Sequence, residues 1–137
     1  MIEIIEGIDE NIFAQAEKLW DITGVSNQQR GDTLSSVLRT VEVGGRFYTA
    51  REGRRVVGVC WLTTDGRRLF VHHMAVHPDF QNRGIGRMLL DIAVAYSDKL
   101  GQKCKLEVHS DNAAARHLYE SVGFSQLDGY IVFIRWD

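Results

Sequence analysis

The residues with the clearest chemical potential lie between Gln81 and Arg87, in the order Gln-Asn-Arg-Gly-Ile-Gly-Arg. They follow an apolar run and the only proline of the chain, Pro78, and apolar residues at helical spacing come after them. Glycines let the backbone approach a ligand closely, and the free N–H groups at the start of a helix attract anions. This glycine loop therefore predicts a site for the phosphates of a nucleotide-like molecule.

Two familiar phosphate-binding motifs do not match the glycine loop. A P-loop requires Gly-Lys-Ser/Thr for a reacting γ-phosphate, and this chain has Arg87 and Met88 at those places. A dinucleotide fingerprint requires a third glycine where Leu89 stands, and it opens a parallel unit. The alternative is that the glycine loop is purely structural, a turn that lets a helix pack closely against a strand.

The elements that must position this loop are predicted from periodicity and turn residues. Strands are expected at 2–6, 46–51, 55–63, 68–76, 104–109, 124–126 and 130–136, and helices after Asp9, at about 32–41, from the glycine loop to Gly101, and at 113–122. The order is β-α-α-β-β-β-α-β-α-β-β, with a right-handed crossover through 86–101 between parallel strands. The fold class is therefore α/β, a mixed, mostly antiparallel central sheet flanked by helices, in a single domain over 1–137.

Composition and charge limit which partners, location and metal or disulfide chemistry are expected for the chain. The net charge of −2 gives no basic field for nucleic acid, and no apolar run approaches the roughly 20 residues of a membrane span. The acidic start of the chain is unlike a signal peptide, so a cytoplasmic location is expected. Cys60 and Cys104 are far apart and are expected to be buried thiols rather than a disulfide. The His, Asp and Glu residues show no consistent metal-ligand spacing, so no metal is expected.

Two motifs together carry a family resemblance. The pattern Gln81-x-Arg83-Gly84-x-Gly86 resembles the pyrophosphate-binding loop of the GNAT family of N-acetyltransferases. The segment from Asn112 to Phe124 resembles the second signature of that family, Asn-x-x-Ala-x-x-Leu-Tyr-x-x-x-Gly-Phe. The resemblance extends to the element order over nearly the whole chain, and it implies the acyl-CoA N-acyltransferase fold with acetyl-CoA as co-substrate.

The resemblance also implies how acetyl-CoA binds. The pantetheine arm is expected between the strands 68–76 and 104–109, which part, with the amide N–H near Met74 and Ala75 serving as an oxyanion hole. The glycine loop would hold the phosphates. The residues expected to contact the co-substrate are Met74, Ala75, Val76, Gln81, Asn82, Arg83, Gly84, Ile85, Gly86, Arg87, Asn112 and Tyr119.

Acetyl transfer requires a proton for the departing thiolate and a base for the incoming ammonium. Tyr119 resembles the general acid of the family. A phenol with a pKa of about 10 stays protonated at neutral pH, so it has a proton to donate to the thiolate. It is expected to face the end of the strand 68–76. The candidate bases are Glu107, His73 and His72. Adjacent strand residues point to opposite faces, so only one of the two histidines is expected to face the site.

The acceptor is an amine in the family, and the sequence leaves open whether it belongs to a small molecule or to a protein or peptide. It is expected to enter beside the first two helices and the loop 23–30. A module that binds or senses acyl-CoA without transfer is the non-enzymatic alternative. An ordinary nucleotide-binding domain, which would prefer ATP or NAD, is a third. A homodimer is consistent with the habit of the family.

Overall fold

The computed structural model describes residues 1–25 and 31–136, so most of the predicted acceptor loop, residues 26–30, lies outside the described residues. The chain divides into two compact units, Met1–Glu107 and Val108–Asp137. None of the helices in the described ranges has the length and apolar character that crossing a bilayer requires.

The first unit contains a five-stranded sheet in the order β1-β2-β3-β4-β5. Its elements are β1 (Ile2–Glu6), α1 (Glu10–Thr23), α2 (Leu34–Glu42), β2 (Arg46–Glu52), β3 (Arg55–Thr64), β4 (Arg68–Val76), a short 3₁₀ turn (Pro78–Phe80), α3 (Ile85–Leu100) and β5 (Lys103–Leu106). The first four strands pair antiparallel, and β5 pairs with β4 in parallel across the α3 crossover. The predicted mixed, mostly antiparallel sheet is confirmed.

Local signals fix the ends of these elements. The Asp9 carboxylate accepts the Ile12 N–H at 2.8 Å and caps α1. Thr33 and Ser36 form a capping box at the start of α2. Of the apolar residues in the predicted helix 32–41, Val37 is buried while Leu38 and Val41 are exposed. A helix of two and a half turns packs against its neighbours along a narrower line than its apolar pattern suggests.

The hairpin between β3 and β4 turns at Asp65 and Gly66, as the Asp-Gly pair predicts. The carboxylate of Asp65 accepts the N–H groups of Arg68 and Arg67 at 2.7 and 2.8 Å. These two bonds, the one from Arg68 first, lower the pKa of Asp65 from its usual value. The turn determines where β4 begins. It therefore also determines the position of the glycine loop, which follows β4 in the chain.

The sheet has a separate apolar cluster on each face. On one face α3 packs Ile85, Leu89 and Ala93 against the sheet. On the other face α1 and α2 pack a second cluster, which includes Trp20 and Val37. The sheet thereby has helices packed on both faces.

Two predicted features at the C-terminal end differ from the structure. β5 ends at Leu106 rather than at position 109, so Glu107 follows the strand. The second unit contains α4 (Ala113–Ser121), as predicted, but residues 124–136 form no strand. Alternating apolar residues set which side chains share a face, whereas a strand also requires a hydrogen-bonded neighbour. The second unit, as described, contains no other strand that could serve as that neighbour.

Gly58 on β3 allows α3 to pack closely against the sheet. A Cβ there would lie 3.1 Å from Ile85 Cγ2 and from Leu89 Cδ1. We expect Gly58→Val to lower the free energy of unfolding in urea by about 1–3 kcal/mol, because the branched side chain overpacks this interface. Gly53→Asn is the control, since an added Cβ there meets nothing within 4 Å. Equal stability of Gly58→Val and wild type would contradict the close contact.

Candidate active site

A β-bulge near the end of β4 shapes the site. Val59 pairs with Ala75 and Trp61 pairs with His72, so Cys60 alone lies opposite two residues, His73 and Met74. His73 adopts a positive φ of 48° at this bulge. The extra residue interrupts the alternation of side chains between the two faces.

The bulge brings both histidines to one face of the sheet. The ring of Trp61 lies 5.2 Å from the ring of His72 and 5.7 Å from that of His73, measured between centroids. The prediction that only one of them can face the site, which assumed regular alternation, is therefore wrong.

His73 is held at three points. Its side chain is 7% exposed, and its Nε2 lies 2.6 Å from Oδ2 of Asp32, just before α2. The Trp20 indole N–H donates to the backbone carbonyl of His73 at 2.8 Å, and the two rings are 5.0 Å apart. In the part of the chain that the structure describes, Nδ1 of His73 makes no hydrogen bond. The ring therefore has one anchored nitrogen and one nitrogen with a lone pair or a proton to exchange.

His72 is anchored differently. Its Nε2 lies 2.7 Å from the hydroxyl oxygen of Thr63 on β3. Its ring also stacks against Phe70, with 6.1 Å between centroids. Thr63 and Phe70 belong to the sheet, so His72 is fixed within the sheet, whereas His73 is tied to the segment before α2.

Where the co-substrate arm is expected, one edge of β4 has no strand partner among the described residues. The parallel pairing of β4 with β5 ends at Val71 and Leu106, while β4 continues to Val76. β5 ends with this pairing, so the predicted divergence of two continuing strands stays a prediction, and Glu107, exposed, directly follows β5. The side-chain amide of Gln81 donates to the carbonyl of Val76 at 2.9 Å. Gln81 therefore occupies the backbone carbonyl of Val76, a residue that was expected to contact the co-substrate.

The glycine loop leads directly into α3 with unusual backbone angles. Asn82 and Gly84 have φ values of 64° and 81°, and Gly84 is the N-cap of α3. No side chain caps this helix, so the first N–H groups, from Ile85 to Arg87, have no side-chain acceptor among the described residues. Uncapped N–H groups at the positive end of a 16-residue helix suit an anionic ligand.

The two arginines of the loop differ in their surroundings. The Arg83 guanidinium lies 4.9 Å from the centroid of the Phe80 ring, which orients it without neutralising it. Nε of Arg87 lies 3.1 Å from the carboxylate of Asp91, one turn further along α3. Arg83 is therefore the better placed of the two to add charge to a phosphate site.

In the second unit, α4 carries the other signature. The side-chain oxygen of Asn112 accepts the Ala115 N–H at 3.1 Å and caps the helix. Tyr119, about two turns later, is buried, and its ring lies 6.1 Å from that of Phe124. The Asn of the motif thus caps α4, and the Tyr lies within it. Asn112 was expected from the sequence to contact the co-substrate, and in the structure it caps α4.

The two thiols are unsuited to carry an acyl group. Both are free; Cys60 is buried and Cys104 is partly buried. Burial raises the pKa of the Cys60 thiol to about 12 and that of the Cys104 thiol to about 11. The nucleophilic thiolate is scarce at neutral pH in both cases.

The contact of Asp32 with His73 is the feature of this site that sequence reasoning missed. The two residues are 41 positions apart, and no local spacing connects them. The signal available was a carboxylate at the start of the predicted helix 32–41, on the side expected for the acceptor.

Comparison with known proteins identifies the family. Residues 13–124 match the model of the acetyltransferase (GNAT) family. The chain is 46% identical over 82 residues to the [ribosomal protein bS18]-alanine N-acetyltransferase of Escherichia coli K12, covering 58% of this chain and 54% of that protein. It is 28% identical over 154 residues to mycothiol acetyltransferase of Geodermatophilus obscurus, covering 98% and 49%.

A solved structure has the same fold. It is a predicted acetyltransferase from Clostridium acetobutylicum crystallised with acetyl-CoA, with a TM-score of 0.72 at 16% identity, covering 98% of this chain and 96% of that one. The chain spans about half the length of the curated relatives that it matches. The match to the family model covers most of the chain, and the chain belongs to the GNAT family of acetyltransferases.

Proposed function

We propose that the chain transfers the acetyl group of acetyl-CoA to a primary amine. The observation that carries the proposal is the unpaired edge of β4: pairing with β5 ends at Val71, β4 continues to Val76, and the glycine loop then leads to the uncapped start of α3. A pantetheine arm can add to an unpaired strand edge, and a pyrophosphate can bind the helix N-terminus. The Clostridium acetobutylicum neighbour, crystallised with acetyl-CoA, supports this choice of co-substrate.

The transfer proceeds by direct attack. The amine nitrogen forms a bond to the thioester carbon, the carbon–sulfur bond breaks, and CoA leaves as a thiolate that takes up a proton. One proton of the original ammonium is released in balance. The raised pKa values of Cys60 and Cys104 support this course over a relay through an acyl-cysteine.

Two side chains and one backbone group are assigned roles in this proposal. Tyr119 gives its phenolic proton to the thiolate, as its place in the second signature suggests. The backbone N–H near Met74 and Ala75 stabilises the oxyanion, because a bulge frees backbone groups from the ladder. His73 takes the proton of the ammonium, since Nδ1 has no partner among the described residues. Glu107 and His72 are the alternative bases.

The acceptor class is proposed as a primary amine of a small molecule or of a peptide. One relative is named for a ribosomal-protein alanine and another for mycothiol, so the relatives differ in acceptor. The acceptor side is formed by α1 and the segment before α2, which together carry Trp20 and Asp32 beside His73.

Two measurements test the function. Calorimetry with CoA, acetyl-CoA, ATP and NAD is expected to show binding of the first two only. A panel of amines, including amino-terminal peptides and polyamines, is then assayed with acetyl-CoA for release of free thiol, and at least one is expected to be acetylated. Tight binding of ATP without CoA would overturn the proposal. Binding of acetyl-CoA with no turnover on any amine would favour a sensing module instead.

A further inference from the structure

The contact between Asp32 and His73 has the geometry of an orienting pair. The separation of 2.6 Å between Nε2 and Oδ2 is that of a strong, charge-assisted hydrogen bond. The Asp32 side chain is 24% exposed and that of His73 is 7% exposed, so water competes weakly for the bond. The pair connects the segment before α2 with the β4 bulge.

This bond decides which nitrogen of His73 can accept a proton. A carboxylate accepts hydrogen bonds, so a neutral imidazole facing it places its proton on Nε2. The other nitrogen, Nδ1, then keeps its lone pair and has no protein partner among the described residues. When Nδ1 takes a proton the ring becomes a cation, and the neighbouring carboxylate stabilises that cation.

The backbone at His73 reinforces the orientation. A positive φ of 48° is uncommon for a residue with a side chain, and such a conformation persists only where the surroundings hold it. The Trp20 N–H holds the carbonyl of His73, and the rings of Trp20 and Trp61 lie 5.0 and 5.7 Å from the His73 ring, measured between centroids. The imidazole thus has little freedom to turn, and the choice of tautomer rests on Asp32.

We propose that Asp32 is a positioning residue that holds His73 in the tautomer whose Nδ1 lone pair receives the proton of the incoming ammonium. This inference rests on the proposed acetyl transfer. The proton moves from the ammonium nitrogen to Nδ1, the freed amine attacks the thioester carbon, and Nδ1 later returns the proton to solvent. Asp32 itself is not protonated in any of these steps.

A double-mutant cycle on kcat tests the coupling. Asp32→Asn and His73→Gln are each expected to lower kcat by about ten- to a hundredfold, with little change in acetyl-CoA affinity. Because Asp32 acts through His73, the double variant is expected to be no slower than His73→Gln alone. Glu17→Gln, an exposed site on α1, controls for the loss of one acidic charge. Independent, multiplying losses in the double variant would overturn the proposal.

Nitrogen-15 NMR of the histidine rings tests the tautomer without any turnover. Wild-type His73 is expected to carry its proton on Nε2 with Nδ1 bare, and Asp32→Ala is expected to remove this preference. A proton on Nδ1 of the resting wild type, or an unchanged tautomer in Asp32→Ala, would overturn the positioning role. If wild type acetylates no amine, the proposed function fails, and the NMR result still decides whether Asp32 sets the tautomer.

Discussion

Replacing Tyr119 by phenylalanine is expected to lower kcat at least tenfold, on the order of the loss when a general acid is removed. The change removes only the phenolic oxygen, and the ring that packs against Phe124 remains. The thiolate of CoA must then leave without a positioned proton donor. Acetyl-CoA affinity, measured by calorimetry, is expected to change little, because the phosphates and the pantetheine arm are assigned to other residues.

Tyr130→Phe is the matched control for this prediction. Tyr130 lies in the same unit, its side chain is 77% exposed, and it has no assigned role. Its replacement should leave kcat unchanged, while both variants should unfold at a similar temperature to wild type. Unchanged turnover in Tyr119→Phe would remove Tyr119 from the acid role. A loss confined to acetyl-CoA affinity would move it to the binding site instead.

Much of the fold could be predicted because its signals are local. Asp9 caps α1, the Asp65-Gly66 pair turns β3 into β4, and Gly101 ends α3 in a left-handed conformation. Each signal depends on residues within a turn or two of the chain. The end of β5 and the absence of strands in 124–136 depend on which backbone lies alongside, and a pattern of alternating residues carries no information on that.

The glycine loop was predictable for the same reason, and the environment of the candidate base His73 was not. Gly84 adopts the positive φ that its residue type favours, and α3 follows at once. The bulge, by contrast, depends on the register between β3 and β4, where Cys60 lies opposite His73 and Met74. Once the bulge is present, His72 and His73 share a face and Asp32 comes within reach of His73.

A second large effect is expected at Gly84, where a side chain should weaken CoA binding at least tenfold. Gly84 has a φ of 81°, a conformation that costs a β-branched residue about 1–2 kcal/mol. Gly84→Val would relieve that strain by turning the peptide planes that carry the first N–H groups of α3. These groups are assigned to the pyrophosphate, so their misdirection should appear as a raised Kd for CoA in calorimetry.

Gly66→Val separates this effect from backbone strain alone. Gly66 lies in the turn between β3 and β4 with a φ of 87°, and an added Cβ meets nothing within 4 Å at either glycine. The two variants should therefore lose similar amounts of stability in urea unfolding, whereas only Gly84→Val should lose affinity for CoA. Equal CoA affinity in the two variants would contradict the assignment of the loop to the phosphates. Because the loop is assigned to binding and not to the reaction, kcat of Gly84→Val at saturating acetyl-CoA should stay close to that of wild type.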